Sequence, residues 1–469
     1  MQNPNILLFY TDQQRWDTLS VNGNRETITP NLDALVREGV NFDHFFVQHP
    51  LCMPSRVSFL SGQYPSSLRI TQMGVPVPED LVTLPHLLRA AGYRTANIGK
   101  LHFLPHANRD HRRPHPPYGF DTLLVSDEPG VYEDAYRAWV RARDPQQLEH
   151  LSVGLPPAAY RWYVTMGIDD MVPQPVPGER YDFGGATPFP GDERYTHSAF
   201  VADQTLNFLD GASARQPFFA IASFFSPHAP WVVPQRFLDL YDPQTFTAPT
   251  YPPELQAERY DHACSPEELR SAKHGYYAMI SEVDEYVGVI LARLEALGLS
   301  ENTIVVFVSD HGEWLGEHLK YGKGYPGDDS VARVPFIIRW PAGIREVGRS
   351  VTELVEAVDV LPTLLELAGL QTPPEAQGHS LAPHLRDSAR PIVQKPALME
   401  YAGWKNLRTP AARYLIHENG TEALWDLQND PHEYFDVAAE QPELVAQHRK
   451  LLLEKLLEIE RPLPRIWAY

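Results

Sequence analysis

The sequence predicts an α/β protein in which a large, doubly wound mixed sheet is flanked by helices. Four short apolar runs end abruptly in polar or charged residues, at 5–14, 93–103, 217–230 and 303–313. Continuous runs of this kind are typical of strands that are buried on both faces of a sheet. Helical patterns lie between the runs, and alternation of strand and helix indicates the doubly wound arrangement.

Three helices can be placed from their end signals. The segment "TPNLDALVREG" has Thr29 as a candidate cap and Gly39 as a stop, and "TLPHLLRAAG" ends in a similar glycine. A longer helix begins after Ser265, with Pro266 in its first turn and Glu268 completing a capping box. These helices separate the apolar runs, as the predicted fold requires.

Two regions depart from this pattern. Residues 104–200 are rich in proline, histidine and aromatic residues and show little periodicity, so we expect an irregular lid or pocket wall. Residues 376–469 contain short strand-like pieces followed by an amphipathic helix at 442–460. They predict a small C-terminal α+β domain, with a four-stranded antiparallel sheet and a terminal helix, after a large domain at 1–375.

Composition limits the function. The formal net charge of −20 argues against binding nucleic acid through a basic surface, and means that an anionic substrate needs a local cluster of cations. Two cysteines, Cys52 and Cys264, cannot form a disulfide framework. The sequence shows no signal peptide and no run of roughly 18 apolar residues, so we expect a cytoplasmic location and no membrane partner.

Polar residues follow the predicted strands. Asp12 and Gln13 follow the first run, and Asp310 and His311 follow the fourth. In doubly wound folds the carboxyl ends of the strands lie at the ligand site, so these four residues are candidate ligands of one divalent cation. An aspartate after a strand is more often a helix cap, and each pair alone is weak support.

Further charged residues join this group. Lys100 and His102 are separated by one residue, so in an extended chain their side chains point the same way. His228 lies between two prolines, and Lys323 lies in a glycine-rich segment. Each alone has a more ordinary structural explanation, but together they predict a metal-centred site for an anion.

The segment "CMPSRVSFLSG", residues 52–62, resembles the sulfatase signature Cys-x-Pro-Ser-Arg, three residues, then Leu-x-Gly. The resemblance continues through "DQQ", "TPNLDALVREGVNF", "GKLH", "SPHAPW", "SDHGEWLGEH", "YGKG", "VARVPFIIRWP" and "LWDLQNDP". On these motifs the chain is identified as a member of the type I sulfatases, within the alkaline phosphatase superfamily. The resemblance implies hydrolysis of sulfate monoesters by a large α/β domain with a smaller C-terminal domain.

The resemblance also implies a modified nucleophile. In this family a sulfatase-modifying enzyme, as partner, oxidises the motif cysteine, here Cys52, to formylglycine. One hydroxyl of the hydrated aldehyde attacks sulfur, and loss of the proton from the second expels sulfate. Four residues are implied to hold the metal ion together with modified Cys52, namely Asp12, Gln13, Asp310 and His311.

The remaining motif residues are implied to handle charge and protons. Arg56 would orient the diol, His102 would accept the proton of the second hydroxyl, and Lys100 lies nearby. Lys323 would bind the sulfate oxygens, and His228 would protonate or hydrogen-bond the leaving oxygen.

Two departures from the common pattern bear on metal and substrate. Many sulfatases have an Asp–Asp pair and an Asp–Asn pair and hold calcium, whereas this chain has Asp12–Gln13 and Asp310–His311. These pairs are similar to those of the phosphonate monoester hydrolase and choline-sulfatase branches. Calcium is expected from the resemblance, and manganese is next because a nitrogen ligand shifts preference towards transition ions.

Three functions remain open on the sequence alone. A small-molecule sulfate ester is the expected substrate, and a phosphonate monoester or phosphodiester is the alternative, although relatives of that type tend to replace the Lys and His of "GKLH". A non-catalytic binding protein is the third. The alcohol part of the substrate is undetermined, and the aromatic residues Tyr118, Phe120, Trp162 and Trp231 could face it or fill the core. The terminal segment 461–469 could dock onto a neighbouring subunit, which leaves a homo-oligomer open.

Overall fold

A computed structural model of the chain describes residues 3–105, 114–154, 185–212 and 215–460. Among them, the strands are β1 (Asn5–Thr11), β2 (Val40–Phe42), β3 (Phe45–Phe46), β4 (Arg94–Gly99), β5 (Thr122–Val125), β6 (Thr187–Pro188), β7 (Phe218–Ser223), β8 (Val232–Val233), β9 (Thr303–Ser309), β10 (Phe336–Arg339), β11 (Arg349–Val351), β12 (Val355–Glu356), β13 (Ala397–Tyr401), β14 (Trp404–Arg408), β15 (Ala412–His417) and β16 (Glu422–Asp426).

The α-helices of the same residues lie mostly between the first twelve strands, and the last one follows the C-terminal sheet. They are α1 (Pro30–Arg37), α2 (Cys52–Ser61), α3 (Pro65–Leu68), α4 (Leu84–Ala90), α5 (Ala135–Arg143), α6 (His197–Asp210), α7 (Gln235–Leu238), α8 (Pro266–Ala296), α9 (Asp329–Ala332), α10 (Val360–Leu367), α11 (Ala382–Arg386) and α12 (Pro442–Ile459). Within this part of the chain, no helix combines the length and apolar character needed to cross a bilayer.

The main sheet has eight strands in the order β11-β2-β10-β9-β1-β7-β4-β5. The four predicted strands are β1, β4, β7 and β9, and they form its parallel centre. Strand β10 runs antiparallel to both of its neighbours, so the sheet is mixed. The predicted doubly wound mixed sheet is therefore confirmed.

The central strands are buried on both faces. In β1, Ile6 and Leu8 belong to one apolar core, whereas Leu7 and Phe9 belong to the core on the other side of the sheet. Alternate side chains of a strand point to opposite faces, which explains why the whole run is apolar. The first charged residue, Asp12, comes only where β1 leaves the sheet.

The end signals of the helices are confirmed in most places. Ser265 caps α8, and its side chain and that of Glu268 form the predicted capping box. Thr29 does precede α1, but its side chain makes no capping hydrogen bond, so this part of the prediction was wrong. The carboxylate of Asp284, from α8, accepts the N–H groups of Asn31 and Leu32 at the start of α1 instead.

The prediction that residues 104–200 are irregular was wrong for much of the described part. The segment contributes β5 to the main sheet, and it also contains α5 and the start of α6. The strand is short and half-buried because it lies at the edge of the sheet, which weakens its apolar pattern. Residues 106–113 and 155–184 lie outside the described residues, and Trp162 is among them.

Three aromatic residues considered for the substrate pocket lie in the core. Tyr118 donates to the carbonyl of Val77 at 2.8 Å, and Phe120 stacks on Phe219. Trp231 is fully buried against Tyr276. These contacts favour the structural explanation for all three rings.

The C-terminal part is the predicted small α+β unit. Strands β13 to β16 form an antiparallel sheet in chain order. One face of this sheet packs against α12 through residues such as Leu407, Tyr414 and Leu452. The boundary at residues 375 and 376 stays a prediction, and the terminal segment 461–469 lies outside the described residues.

A substitution at Gly99, the last residue of β4, can test how closely β4 and β7 pack at this point. Gly99 has a φ of 99°, and a Cβ there would lie 1.9 Å from the carbonyl oxygen of Ser223 on β7. Gly23 has a φ of 96°, but a Cβ there would meet no atom of the described residues within 4 Å. Gly23→Ala should lower the free energy of unfolding by about 1–2 kcal/mol, from backbone strain alone.

Gly99→Ala should lower the free energy of unfolding by about 3–5 kcal/mol, because β7 must also move to make room for the new Cβ. Denaturant unfolding of both variants measures the difference. Equal losses for the two glycines would show that the strands are not packed at this point as described.

Candidate active site

The signature segment begins with a helix whose spacing explains the motif. Cys52 is the first residue of α2, after Leu51 in extended conformation, and Arg56 lies one turn later on the same face. Pro54 is tolerated because the first turn of a helix has N–H groups without intrahelical partners. The helix ends at Ser61, and Gly62, which caps it, has a φ of 66°. The four-residue spacing of Cys52 and Arg56 therefore directs both side chains at the sheet.

Arg56 ties α2 to the ends of the central strands. Its Nε donates to Asp310 Oδ2 at 2.7 Å, and its Nη1 donates to the carbonyl of Lys100 at 3.1 Å and to Ser223 Oγ at 3.0 Å. The guanidinium also lies 4.6 Å from the ring centre of Tyr10. These partners follow or end β9, β4, β7 and β1, so one buried side chain joins four strands to the helix.

The Cys52 side chain lies among charged groups. Its Sγ is 2.7 Å from Lys323 Nζ, 3.2 Å from His311 Nε2 and 3.7 Å from Asp12 Oδ1. Burial, and next the Asp12 carboxylate, raise the pKa of the thiol to about 11. The unmodified thiol is thus protonated at neutral pH and is a poor nucleophile.

Four buried side chains can share one metal ion. Asp12, Cys52, Asp310 and His311 each offer a ligand atom, and these atoms all lie within 4.8 Å of one another. Nδ1 of His311 donates to the carbonyl of Gly312 at 2.9 Å, which leaves the Nε2 lone pair facing the cluster.

Gln13 adds a fifth candidate ligand. Its φ of 69° turns the chain sharply after β1, and its Nε2 donates to the Glu313 carboxylate. Its Oε1 is buried and has no hydrogen-bond partner among the described residues. The Gln13 N–H donates to Asp310 Oδ1 at 3.0 Å, so this oxygen belongs to a residue in contact with the cluster, and an amide oxygen suits a divalent cation.

Cations surround the same carboxylates. Lys100 Nζ lies 2.5 Å from Asp12 Oδ2, and both side chains are fully buried. Lys323 Nζ lies 3.9 Å from Asp12 Oδ1, and Arg56 pairs with Asp310. Three cationic side chains therefore meet two carboxylates at the strand ends, which is the local cluster that the acidic sequence requires.

His228 lies close enough to this cluster to interact with its charges. Burial, and next the Lys323 ammonium, hold the pKa of His228 well below its ordinary value. Its Nδ1 donates to the carbonyl of Ala229 at 2.5 Å, and its ring packs on Phe225. The imidazole is thus neutral, with Nε2 as its remaining hydrogen-bonding atom.

His102 is placed by a mechanism different from the predicted one. The expectation that Lys100 and His102 alternate along an extended chain was wrong, because the φ of His102 is 54°. The N–H groups of Leu101 and His102 both donate to Asp127 Oδ1, at 2.9 and 2.8 Å. A carboxylate from the loop after β5 thus turns the chain at the end of β4.

Sequence reasoning missed several residues that support the site. Glu313 accepts hydrogen bonds from Gln13 and from the backbone N–H groups of Leu315 and Gly322. His49 Nδ1 accepts the N–H of Leu51, directly before Cys52. Glu313 stands three residues after Asp310 within the motif "SDHGEWLGEH", so the sequence does carry a signal for it, whereas nothing local in the sequence marks His49.

Comparison with known proteins identifies the family. A family model described as Sulfatase matches residues 4–370. The chain belongs to the sulfatase family. A second model, described as N-sulphoglucosamine sulphohydrolase, C-terminal, matches residues 316–461. The sulfatase is a sulfuric ester hydrolase of the alkaline phosphatase superfamily, as the sequence resemblance implied.

Known proteins are similar to this sulfatase in sequence or structure over nearly its whole length. An ulvan-active sulfatase from Formosa agariphila is 29% identical over 92% of this chain and 76% of its own. An arylsulfatase from Clostridium perfringens is 28% identical over 97% of this chain and 94% of its own. The crystal structure of the phosphonate monoester hydrolase of Agrobacterium radiobacter has a TM-score of 0.80 at 25% identity, covering 97% of this chain and 96% of that one.

The role of Arg56 as a buried counter-charge can be measured in this sulfatase. Arg56→Met keeps much of the side-chain volume but leaves Asp310 without its cation. It should lower the free energy of unfolding by about 3–5 kcal/mol, the usual cost of breaking a buried ion pair. Arg194→Met removes an exposed ion pair with Asp192 and should leave stability nearly unchanged.

Both variants should be unfolded with denaturant in the presence of a chelator, so that bound metal does not contribute. Similar small losses for Arg56→Met and Arg194→Met would contradict the role of Arg56 as the charge that holds α2 to the strand ends.

Proposed function

We propose that this sulfatase hydrolyses small-molecule sulfate monoesters with a nucleophile derived from Cys52 and one divalent metal ion. The observation that carries the proposal is the position of Cys52 Sγ, within 3.2 Å of both Lys323 Nζ and His311 Nε2. A reacting atom there is adjacent to the candidate ligands and to a cation that can bind sulfate oxygens.

The nucleophile is formylglycine, made from Cys52 by a sulfatase-modifying enzyme. The hydrated aldehyde supplies one hydroxyl to attack sulfur and a second whose deprotonation releases sulfate. The raised pKa of the unmodified thiol supports this assignment, because a protonated thiol is a poor nucleophile and has no second hydroxyl to release sulfate. The signature segment 52–62 supports it as well.

The surrounding side chains have separate tasks in the proposal. Lys323 binds the sulfate oxygens, and Arg56 orients the nucleophile while it pairs with Asp310. His102 accepts the proton of the second hydroxyl, and Lys100 keeps Asp12 ionised. His228 hydrogen-bonds or protonates the leaving oxygen through Nε2, which must first take up a proton because Nδ1 already donates to the carbonyl of Ala229.

Asp12, Gln13, Asp310 and His311 hold the metal ion together with modified Cys52. When bound, the ion polarises the sulfate and lowers the pKa of the attacking hydroxyl. Mostly oxygen ligands favour calcium, and the His311 nitrogen leaves manganese as the next choice.

Metal content tests the ligand assignment. Elemental analysis should find about one ion per chain, and Asp310→Asn should lose it because a charged ligand becomes neutral. Turnover of this variant should fall about a thousandfold. Asp284→Asn, an equally buried carboxylate that accepts N–H groups of α1, should retain the ion. Full metal content in Asp310→Asn would overturn the assignment.

An alanine and a serine variant of Cys52 test the nucleophile, with an alanine variant of Cys264 as the control. Cys52→Ala should lower kcat about a million-fold, as for other deleted nucleophiles, while Cys264→Ala should stay active. Cys52→Ser offers a single hydroxyl, so it should be trapped as a sulfate ester that adds the mass of one SO₃ group. Near-normal turnover in Cys52→Ala would exclude covalent catalysis at this position.

A phosphonate monoester or phosphodiester hydrolase is the second candidate. The likeness to the Agrobacterium radiobacter phosphonate monoester hydrolase supports it. The pair Lys100 and His102 favours sulfate, because relatives with phosphonate activity tend to replace both. On a nitrophenyl sulfate and a phenylphosphonate ester assayed in parallel, kcat/KM should be larger for the sulfate. The opposite order would reverse the choice.

A further inference from the structure

We propose that the C-terminal sheet positions Lys323, because strand β14 holds the loop that carries this lysine. The Lys323 loop is defined here as residues 320–328. The inference rests on the proposed function, in which Lys323 binds the sulfate oxygens. It assigns Trp404, Asn406 and Arg408 as positioning residues that do not themselves touch substrate.

The Lys323 loop has little conformational restraint of its own around the lysine. Gly322 and Gly324 flank Lys323, and their φ values are 81° and 127°. Glycine reaches such values easily but stiffens the chain least. On the upstream side, the Gly322 N–H donates to Glu313, and the Gly322 carbonyl accepts from Trp314 at 3.0 Å.

The downstream side is held by the C-terminal sheet. Asn406 Nδ2 donates to the carbonyls of both Pro326 and Gly327, each at 2.9 Å. The Tyr325 ring lies against Trp404, with ring centres 4.1 Å apart. Contacts from β14 thus begin two residues after Lys323.

An ion pair fixes the residue that follows the loop. Arg408 donates from Nε and Nη2 to the two carboxylate oxygens of Asp329, at 2.9 and 3.0 Å. The Asp329 N–H donates to Glu433 Oε1 at 3.3 Å. Bidentate pairing of this kind constrains orientation as well as distance.

The geometry of β14 explains why one strand makes all three contacts. Trp404, Asn406 and Arg408 are alternate residues and share one face, whereas Leu407 points to the core under α12. Met399 is the cross-strand partner of Asn406. It leaves no room for a Cβ at Gly327, because that Cβ would lie 1.9 Å from Met399 Cε. The sheet therefore packs directly on the Lys323 loop.

Precise placement matters because Lys323 Nζ is 2.7 Å from Cys52 Sγ. A cation on a glycine-flanked loop binds a transition state well only if the loop is held in advance. Loss of the β14 contacts should therefore weaken catalysis through Lys323 without altering the metal ligands.

A double-mutant cycle tests this coupling. Asn406→Ala should lower kcat/KM for a nitrophenyl sulfate about tenfold and weaken competitive inhibition by inorganic sulfate similarly. In a Lys323→Met background, the same substitution should change kcat/KM less than about twofold, because the group it positions is gone. Asn429→Ala, an exposed asparagine in the same domain, should change neither constant.

Equal losses from Asn406→Ala in both backgrounds would overturn the inference while leaving the proposed function intact. Normal turnover in Lys323→Met alone would instead remove the sulfate-binding role of Lys323, and the inference with it. If Asn406→Ala does not fold, Trp404→Ala is compared in the same cycle. Trp404→Phe, which keeps an aromatic ring against Tyr325, should restore most of the activity; no recovery would count against positioning.

Discussion

The rest of the site depends on the burial of two carboxylates, Asp12 and Asp310, at the ends of adjacent parallel strands. Two anions without solvent would destabilise the fold unless cations met them there. Burial would raise the pKa of Asp12, but Lys100 and then Lys323 outweigh it and hold this pKa well below its ordinary value. The cationic side chains that neutralise the buried carboxylates are therefore the same side chains that attract an anionic substrate to an acidic protein.

This constraint also explains the arrangement of the elements around the site. Helix α2 starts at the same edge of the sheet, so its first side chain, Cys52, faces the carboxylates, and Arg56 balances Asp310 one turn later. The turn after β4 is set by Asp127, and the turn after β9 is joined to Gln13 through Glu313. The C-terminal sheet then packs on the chain after Lys323. These elements together hold the charged side chains of the site at one edge of the sheet.

The central strands and the polar residues that follow them could be predicted from the sequence, because their signals are local. Apolar runs marked β1, β4, β7 and β9, and the parallel order brought Asp12 and Asp310 together. Helix α2 was not predicted because all ten of its residues are buried, so no polar face shows a helical period. The turn at His102 depends on a carboxylate 25 residues away, and the contacts of Asn406 span about 80 residues. Pairings at that distance leave no periodic pattern in the chain.

In the proposed function, oxidised Cys52 performs the chemistry. The most direct test measures, by peptide mass spectrometry, the fraction of Cys52 present as formylglycine in preparations made with different amounts of modifying enzyme. Turnover of a nitrophenyl sulfate is measured on the same samples. We expect kcat to rise in proportion to the modified fraction and to extrapolate to zero without formylglycine. Turnover that is independent of this fraction, or full activity in protein whose Cys52 is entirely thiol, would contradict it.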